Sequence, residues 1–95
     1  MYNEKELNKI IGENIKYYRQ IYNIGKSKKD RLTQESLAEL ADVSTSLIGN
    51  IESEKISQGI SLHTLYKISC ILSVPIEKFF VPIKNKSLNE ELVQK

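Results

Sequence analysis

A stretch near the middle of the chain, TSLIGNIE at 45–52, carries small polar side chains at helical spacing. If it forms a helix, three apolar residues face inward: Leu47, Ile48 and Ile51. Thr45, Ser46, Gly49 and Asn50 are then left on the outer side, with no role in a core. Hydroxyl and amide groups presented in this way can hydrogen-bond the edges of base pairs in the major groove of DNA.

A basic cluster precedes this stretch, in the polar segment GKSKKDR at 25–31. The segment contains one acidic residue, Asp30, and four basic residues: Lys26, Lys28, Lys29 and Arg31. They could contact DNA phosphates, and each contact would steepen the salt dependence of binding by about one counterion. The alternative is an ordinary solvated loop, and the net charge of +2 is too small to decide between the two.

The composition offers little with which to build an enzyme. His63 and Cys70 are the only residues of their types, so neither a disulfide within the chain nor a cysteine-based metal cluster can form. There is no glycine-rich phosphate loop and no cluster of carboxylates. We therefore expect no catalysis, cofactor, metal or small-molecule ligand, with His63 exposed and Cys70 a small buried hydrophobe.

The chain reads as one small domain, because 95 residues with 40% apolar side chains suffice for a single core. The N-terminus lacks a signal-peptide pattern, and no apolar run approaches the roughly 18 residues of a membrane span. We expect a soluble cytoplasmic protein that has no membrane partner.

Five helices would position the polar residues, and the first is long and amphipathic. Asn3 and Glu6 resemble a capping box, and Gly25 is a stop signal. The apolar stripe of this helix is Leu7, Ile10, Ile11, Ile15, Tyr18 and Tyr22, and its tyrosines are more typical of a core or an interface than of base stacking.

The second and third helices form a pair joined by a tight turn. Thr33 caps the second, whose apolar side is Leu37, Ala38, Leu40 and Ala41. Asp42 makes the turn, Val43 is buried after it, and Ser44 caps the third helix. Two such helices pack at roughly 90–120°, and Ala38 lies where they cross.

Two closing helices follow, and the domain ends near residue 83. Ser61 caps the fourth helix, whose buried stripe is Leu62, Leu65, Ile68, Ile71 and Leu72. Pro75 begins a short fifth helix that ends at Phe79 and Phe80, before Pro82. The sequence thus predicts an all-α domain at 1–83 and a polar tail at 84–95, in which Ser87 and Glu90 could cap a further helical turn or two.

These segments, in this order, resemble the Cro/repressor (Xre) family of helix-turn-helix proteins, from Ile11 to about Phe80. The matching pieces are IGENIKYYR, TQESLAELADVS, TSLIGNIE and ISLHTLYKISCILSVPIEKFF. The resemblance implies a compact five-helix bundle of the lambda-repressor-like type, with the motif at about 33–52. It also implies a transcriptional regulator that binds a palindromic DNA operator as a homodimer.

The resemblance implies roles for individual residues. Gln34 corresponds to a glutamine that contacts a DNA phosphate and supports the recognition helix, and Arg19 and Glu52 match a structural ion pair. The groove-facing positions are Ser44, Thr45, Ser46 and Asn50. Asn50 is the best candidate for base reading, because its amide can pair with adenine. Ser53 and Lys55 occupy positions of backbone contacts.

Three departures from the family pattern are informative. No groove-facing position holds arginine, which predicts contacts to A/T base pairs, shape reading or modest specificity. Gly49 costs helix stability, so it either lets DNA approach closely or is simply tolerated. Asp42 replaces the frequent turn glycine, although it adopts the left-handed conformation less readily.

Dimerisation is predicted to use apolar residues of the closing segment: Ile76, Phe79, Phe80, Val81 and Ile83. The closing segment resembles that of restriction–modification controller proteins, and repressors of phages or mobile elements look similar. A different class is an antitoxin-like adaptor or other protein-interaction module that uses the same fold without reading DNA. An apolar outer face on the third helix would indicate that class, and Thr45, Ser46 and Asn50 argue against it.

Overall fold

The computed structural model describes residues 1–87, and this part of the chain is all-helical, without strands. Its four α-helices are α1 (Glu4–Tyr22), α2 (Gln34–Ala41), α3 (Thr45–Glu52) and α4 (Leu62–Leu72). Three short 3₁₀-helices lie at Lys28–Asp30, Ile76–Phe80 and Ile83–Asn85. In residues 1–87, no helix is both long and apolar enough to cross a membrane. The predicted capping of a further turn by Ser87 and Glu90 lies outside the described residues.

The predicted fifth α-helix is wrong, because Ile76–Phe80 forms a 3₁₀-helix. The backbone N–H of Lys78 donates to the carbonyl of Pro75 at 3.0 Å, and a hydrogen bond between residues three apart is the pattern of a 3₁₀-helix. Only six residues lie between Pro75 and Pro82, and a proline disfavours helical dihedrals in the residue before it. The segment is therefore too short for a regular α-helical ladder.

The predicted helix starts are confirmed by side-chain caps. Asn3 Oδ1 accepts the N–H of Glu6 at 2.8 Å, while Glu6 Oε1 accepts the N–H of Asn3 at 3.2 Å. The three other α-helices are capped by the predicted hydroxyls, those of Thr33, Ser44 and Ser61. Each cap satisfies a backbone donor that the first helical turn leaves unpaired.

The core lies where α1 crosses the other helices and the 3₁₀-helix Ile76–Phe80. Six of its apolar residues have no exposed surface: Ile15, Leu37, Ala41, Ile48, Ile68 and Phe79. Tyr18 packs against Phe79, with ring centroids 5.3 Å apart. Phe79 was predicted at a dimer interface, and that placement is wrong because the fold of the single chain already buries it.

Three other residues that the sequence predicts to face the core are exposed on the surface. Leu40 is 62% and Leu62 is 72% exposed, and Cys70 is also on the surface. On α4 the core side is set by Leu65, Ile68 and Leu72. Cys70 lies about 200° around the helix from Ile68, so it faces away from the core.

Two residues of α1 for which the sequence pattern predicts no role, Gly12 and Asn14, connect this helix to the rest of the bundle. A Cβ on Gly12 would overlap the carbonyl oxygen of Ile51, so the backbones of α1 and α3 are in direct contact there. Asn14 is fully buried, and its Nδ2 donates to the carbonyls of Phe79 and Val81, each at 2.9 Å. Asn14 thereby ties α1 to the closing segment.

Candidate nucleic-acid interface

The turn between α2 and α3 sets the direction of α3. Asp42 adopts the left-handed conformation, with φ 57° and ψ 48°. The N–H of Val43 then donates to the carbonyl of Ala38 at 3.0 Å, which closes the end of α2. As a result, α3 packs against both α2 and α1.

The outer face of α3 is polar. Thr45 and Ser46 are exposed and Asn50 is partly exposed, whereas Ile48, Ile51 and Glu52 are buried. Within residues 1–87 the side chains of Thr45, Ser46 and Asn50 have no hydrogen-bond partner, so their polar groups are available to a ligand. Ser44 differs from them, because its hydroxyl oxygen caps α3 by accepting the N–H of Leu47 at 3.0 Å.

An ion pair fastens the end of α3 to α1. Arg19 donates from Nε and Nη2 to the two carboxylate oxygens of Glu52, at 2.9 and 2.8 Å. The side chains of Arg19 and Glu52 are only 14% and 1% exposed. The hydrogen bond to Glu52 raises the pKa of Arg19 above its ordinary value. The contribution of the Arg19 charge is therefore fully present below the ordinary pKa of arginine, and it is lost only as pH rises through the raised pKa.

Gln34 joins the same carboxylate from the first turn of α2. Its Nε2 donates to Glu52 Oε1 at 3.0 Å. Its amide oxygen lies 3.6 Å from the position that a Cβ would occupy on Gly49. The Gln34 side chain, expected at a DNA phosphate, is thus folded against α3.

The four cations of the basic loop divide into two pairs. Lys26 donates to the carbonyl of Tyr22 at 2.7 Å and lies 4.0 Å from the centre of the Tyr22 ring, while Arg31 Nε donates to the carbonyl of Lys26. Lys28 and Lys29 are exposed, and neither has a side-chain partner within the described part of the chain. Lys28 and Lys29 are therefore the more available of the four cations for contact with an anionic surface.

The chain immediately after α3 is also accessible. Ser53 ends the helix and is partly exposed, and its hydroxyl accepts the N–H of Lys55 at 3.2 Å. Lys55 is exposed. These two residues therefore lie beside the C-terminal end of the polar face.

The closing segment presents a small apolar surface. Phe80 and Val81 are each 38% exposed, and Ile76 and Ile83 are partly buried. Lys86 braces this segment, because its Nζ donates to the hydroxyl of Tyr18 at 2.9 Å and to the carbonyl of Lys78 at 2.7 Å. Four of the five residues predicted at a dimer interface thus retain some accessible surface.

A comparison with protein families matches a helix-turn-helix family, HTH_3, over residues 28–79, more than half of the chain. The chain belongs to the HTH_3 family. HTH_3 is a family of DNA-binding regulators, generally non-enzymatic, and the match contains α2, α3 and α4. No curated protein matches the chain. The α1 residues Gly12, Asn14 and Arg19 lie outside the matched range, although they support the HTH_3 motif from behind.

Proposed function

We propose that this HTH_3 protein is a sequence-specific transcriptional regulator that binds a palindromic operator as a homodimer. The observation that carries the proposal is the polar outer face of α3, where Thr45, Ser46 and Asn50 have free hydrogen-bonding groups. Such a face on a short helix matches what the major groove of DNA accepts. Control of a restriction–modification system and repression in a phage or mobile element both fit this proposal.

Within this proposal, base reading and phosphate contact fall to different residues. Asn50 reads an adenine through its amide, and Ser44, Thr45 and Ser46 make more permissive contacts. The expected phosphate contacts come from around this face: Lys26, Lys28, Lys29, Arg31, Gln34, Ser53 and Lys55. Lys28 and Lys29 need no rearrangement for this role, whereas Lys26 must first leave the carbonyl of Tyr22. The absence of arginine from the reading positions favours operators that contain A/T base pairs.

Dimerisation in this proposal uses Ile76, Phe80, Val81 and Ile83. The exposed parts of Phe80 and Val81 support it, because exposed aromatic and branched side chains gain free energy when a second copy covers them. A dimer would present two copies of α3 to the two halves of a palindrome.

The test is selection of bound duplexes from a random pool, followed by affinity measurements with Asn50→Ala. We expect a palindromic site, and a loss of about 1–3 kcal/mol on that site with little change on random DNA. Asn8→Ala is the matched control, since it removes the same amide from a partly exposed position on α1. Equal losses on both DNAs would show that Asn50 does not read bases.

The same experiment separates a regulator from a protein-interaction module. A regulator binds random DNA at low salt and releases it as salt rises, because phosphate contacts displace counterions. An adaptor of the same fold would bind no DNA even at low salt.

A further inference from the structure

We propose that the side-chain amide of Gln34 is a second base-reading group, which reaches the major groove past Gly49. This inference rests on the proposed function, because it needs α3 to lie in the groove of an operator. It goes beyond the phosphate contact expected of Gln34, and it assigns the residue a part in sequence specificity.

The orientation of the Gln34 amide follows from the chemistry of its partner. Glu52 is held by Arg19 through both carboxylate oxygens, so it acts as a hydrogen-bond acceptor. The group of Gln34 that faces Glu52, at 3.0 Å, must therefore be the amide nitrogen. The amide oxygen consequently lies on the other side, next to Gly49.

Two groups of the amide stay available in this orientation. Glu52 takes one of its two N–H donors, and among residues 1–87 nothing donates to its oxygen. A free N–H beside a free carbonyl is the pair with which a glutamine amide binds N7 and N6 of adenine. Gln34 is also partly exposed, so these groups are not sealed inside the protein.

Gly49 explains why the amide can lie there. Gly49 stands about 60° around α3 from Glu52 on one side and from Ser46 on the other, at the edge of the polar face. A Cβ alone would make an ordinary contact with the Gln34 oxygen at 3.6 Å, but a longer side chain would compete for the space of the amide. Because Gly49 has no side chain, the side chain of Gln34 on α2 can occupy the space beside this position of α3.

The main-chain N–H of Gln34 is a separate group, and it keeps the phosphate role open. It lies in the first turn of α2, where backbone donors are unpaired and attract anions. Replacing only the side chain therefore tests base reading while leaving this possible phosphate contact in place.

The first test measures Gln34→Ala against the selected operator and all of its single base-pair substitutions. We expect the preference at one base pair of each half-site to fall by about 5- to 150-fold, the range for one bidentate contact. Affinity for random DNA should change less than about 2-fold. The control Lys29→Ala should weaken binding to all sequences alike and keep every preference.

A second variant tests the role of Gly49 without touching Gln34. Gly49→Leu should displace the amide and remove the same base preference as Gln34→Ala, whereas Gly49→Ala should keep it. The double variant should lose no more discrimination than either single variant, because both remove one contact. Thermal melting followed by circular dichroism establishes that each variant is folded.

Two results would overturn the inference, and only the second would also overturn the proposed function. If Gln34→Ala weakens binding to all sequences equally, Gln34 contacts phosphates only, and the regulator proposal stands. If the unmodified protein selects no sequence from the pool, the proposed function fails together with this inference.

Discussion

At the level of single residues, the two glycines that lie within helices, Gly12 and Gly49, differ in how much space a side chain would have. Gly12 faces the backbone of Ile51 so closely that no side chain fits, and Gly49 faces only the end of the Gln34 side chain. Sequence alone gives both residues the same low helix propensity. Their difference comes entirely from what lies opposite each one.

This difference predicts changes of opposite sign for the same substitution. Gly49→Ala should raise the free energy of unfolding by about 1 kcal/mol, because alanine is the better helix former and its Cβ has room. Gly12→Ala should lower it by about 1–3 kcal/mol, because α1 and α3 must separate. Urea denaturation of the two variants measures both effects. A Gly12→Ala protein as stable as the unmodified chain would contradict the close contact.

At the level of elements, the position of α3 depends on the Arg19–Glu52 pair. The two partners differ in exposure: the Glu52 side chain is 1% exposed and the Arg19 side chain 14%. A charge that loses its partner is costly in proportion to how little water reaches it. Removing one partner or the other should therefore have unequal effects.

We expect Arg19→Met to destabilise the fold by about 3–5 kcal/mol, since it leaves a buried carboxylate without its cation. Glu52→Gln should cost less, because the guanidinium still reaches water and the carbonyl of Leu32. Chemical denaturation of both variants ranks them. A Glu52→Gln protein less stable than the Arg19→Met protein would contradict the expectation that the less exposed charge is the more costly one to leave unpaired.

The elements predicted from sequence were those that local patterns specify. The capping box at Asn3 and the left-handed turn at Asp42 depend on neighbours within a few residues, and both were predictable. Leu40 and Leu62 were misjudged because periodicity gives the centre of an apolar face and not its width. Phe79 was misplaced for a related reason, since only its packing on Tyr18 shows that it is internal.

Other features were beyond the reach of sequence reasoning because their partners are distant in the chain. Asn14 bonds to carbonyls 65 and 67 residues away, and nothing near it signals that role. The polar face of α3 was predicted from its composition. The turn of Gln34 toward Gly49 was not, because it depends on a carboxylate 18 residues further along.

At the level of the whole molecule, two of the surfaces that carry exposed apolar side chains are candidates for contact with a second copy. One is the closing segment with Phe80 and Val81, and the other is α4 with Leu62 and Tyr66. Both could bury area against a second copy, but the proposed dimer uses only the first.

Phe80→Glu tests which surface pairs. We expect a folded monomer with much weaker operator binding, because a buried carboxylate at the interface costs more than the contact gains. Tyr66→Glu is the matched control and should leave the dimer intact. Sedimentation or light scattering gives the oligomeric state of each. A monomeric Tyr66→Glu protein with a dimeric Phe80→Glu protein would move the interface to α4.

The contact between Gly12 and Ile51 has a consequence for how an operator would be recognised. Together with the Arg19–Glu52 pair, it fixes the C-terminal end of α3 to α1, and the turn at Asp42 joins the other end to α2, which leaves the helix little freedom to tilt or slide. A reader that is rigid before binding loses little entropy on the DNA, so a few contacts can suffice. The DNA would then have to adjust its shape to the protein. Sequences that bend easily, or whose groove narrows easily, would therefore be preferred even where no side chain touches them.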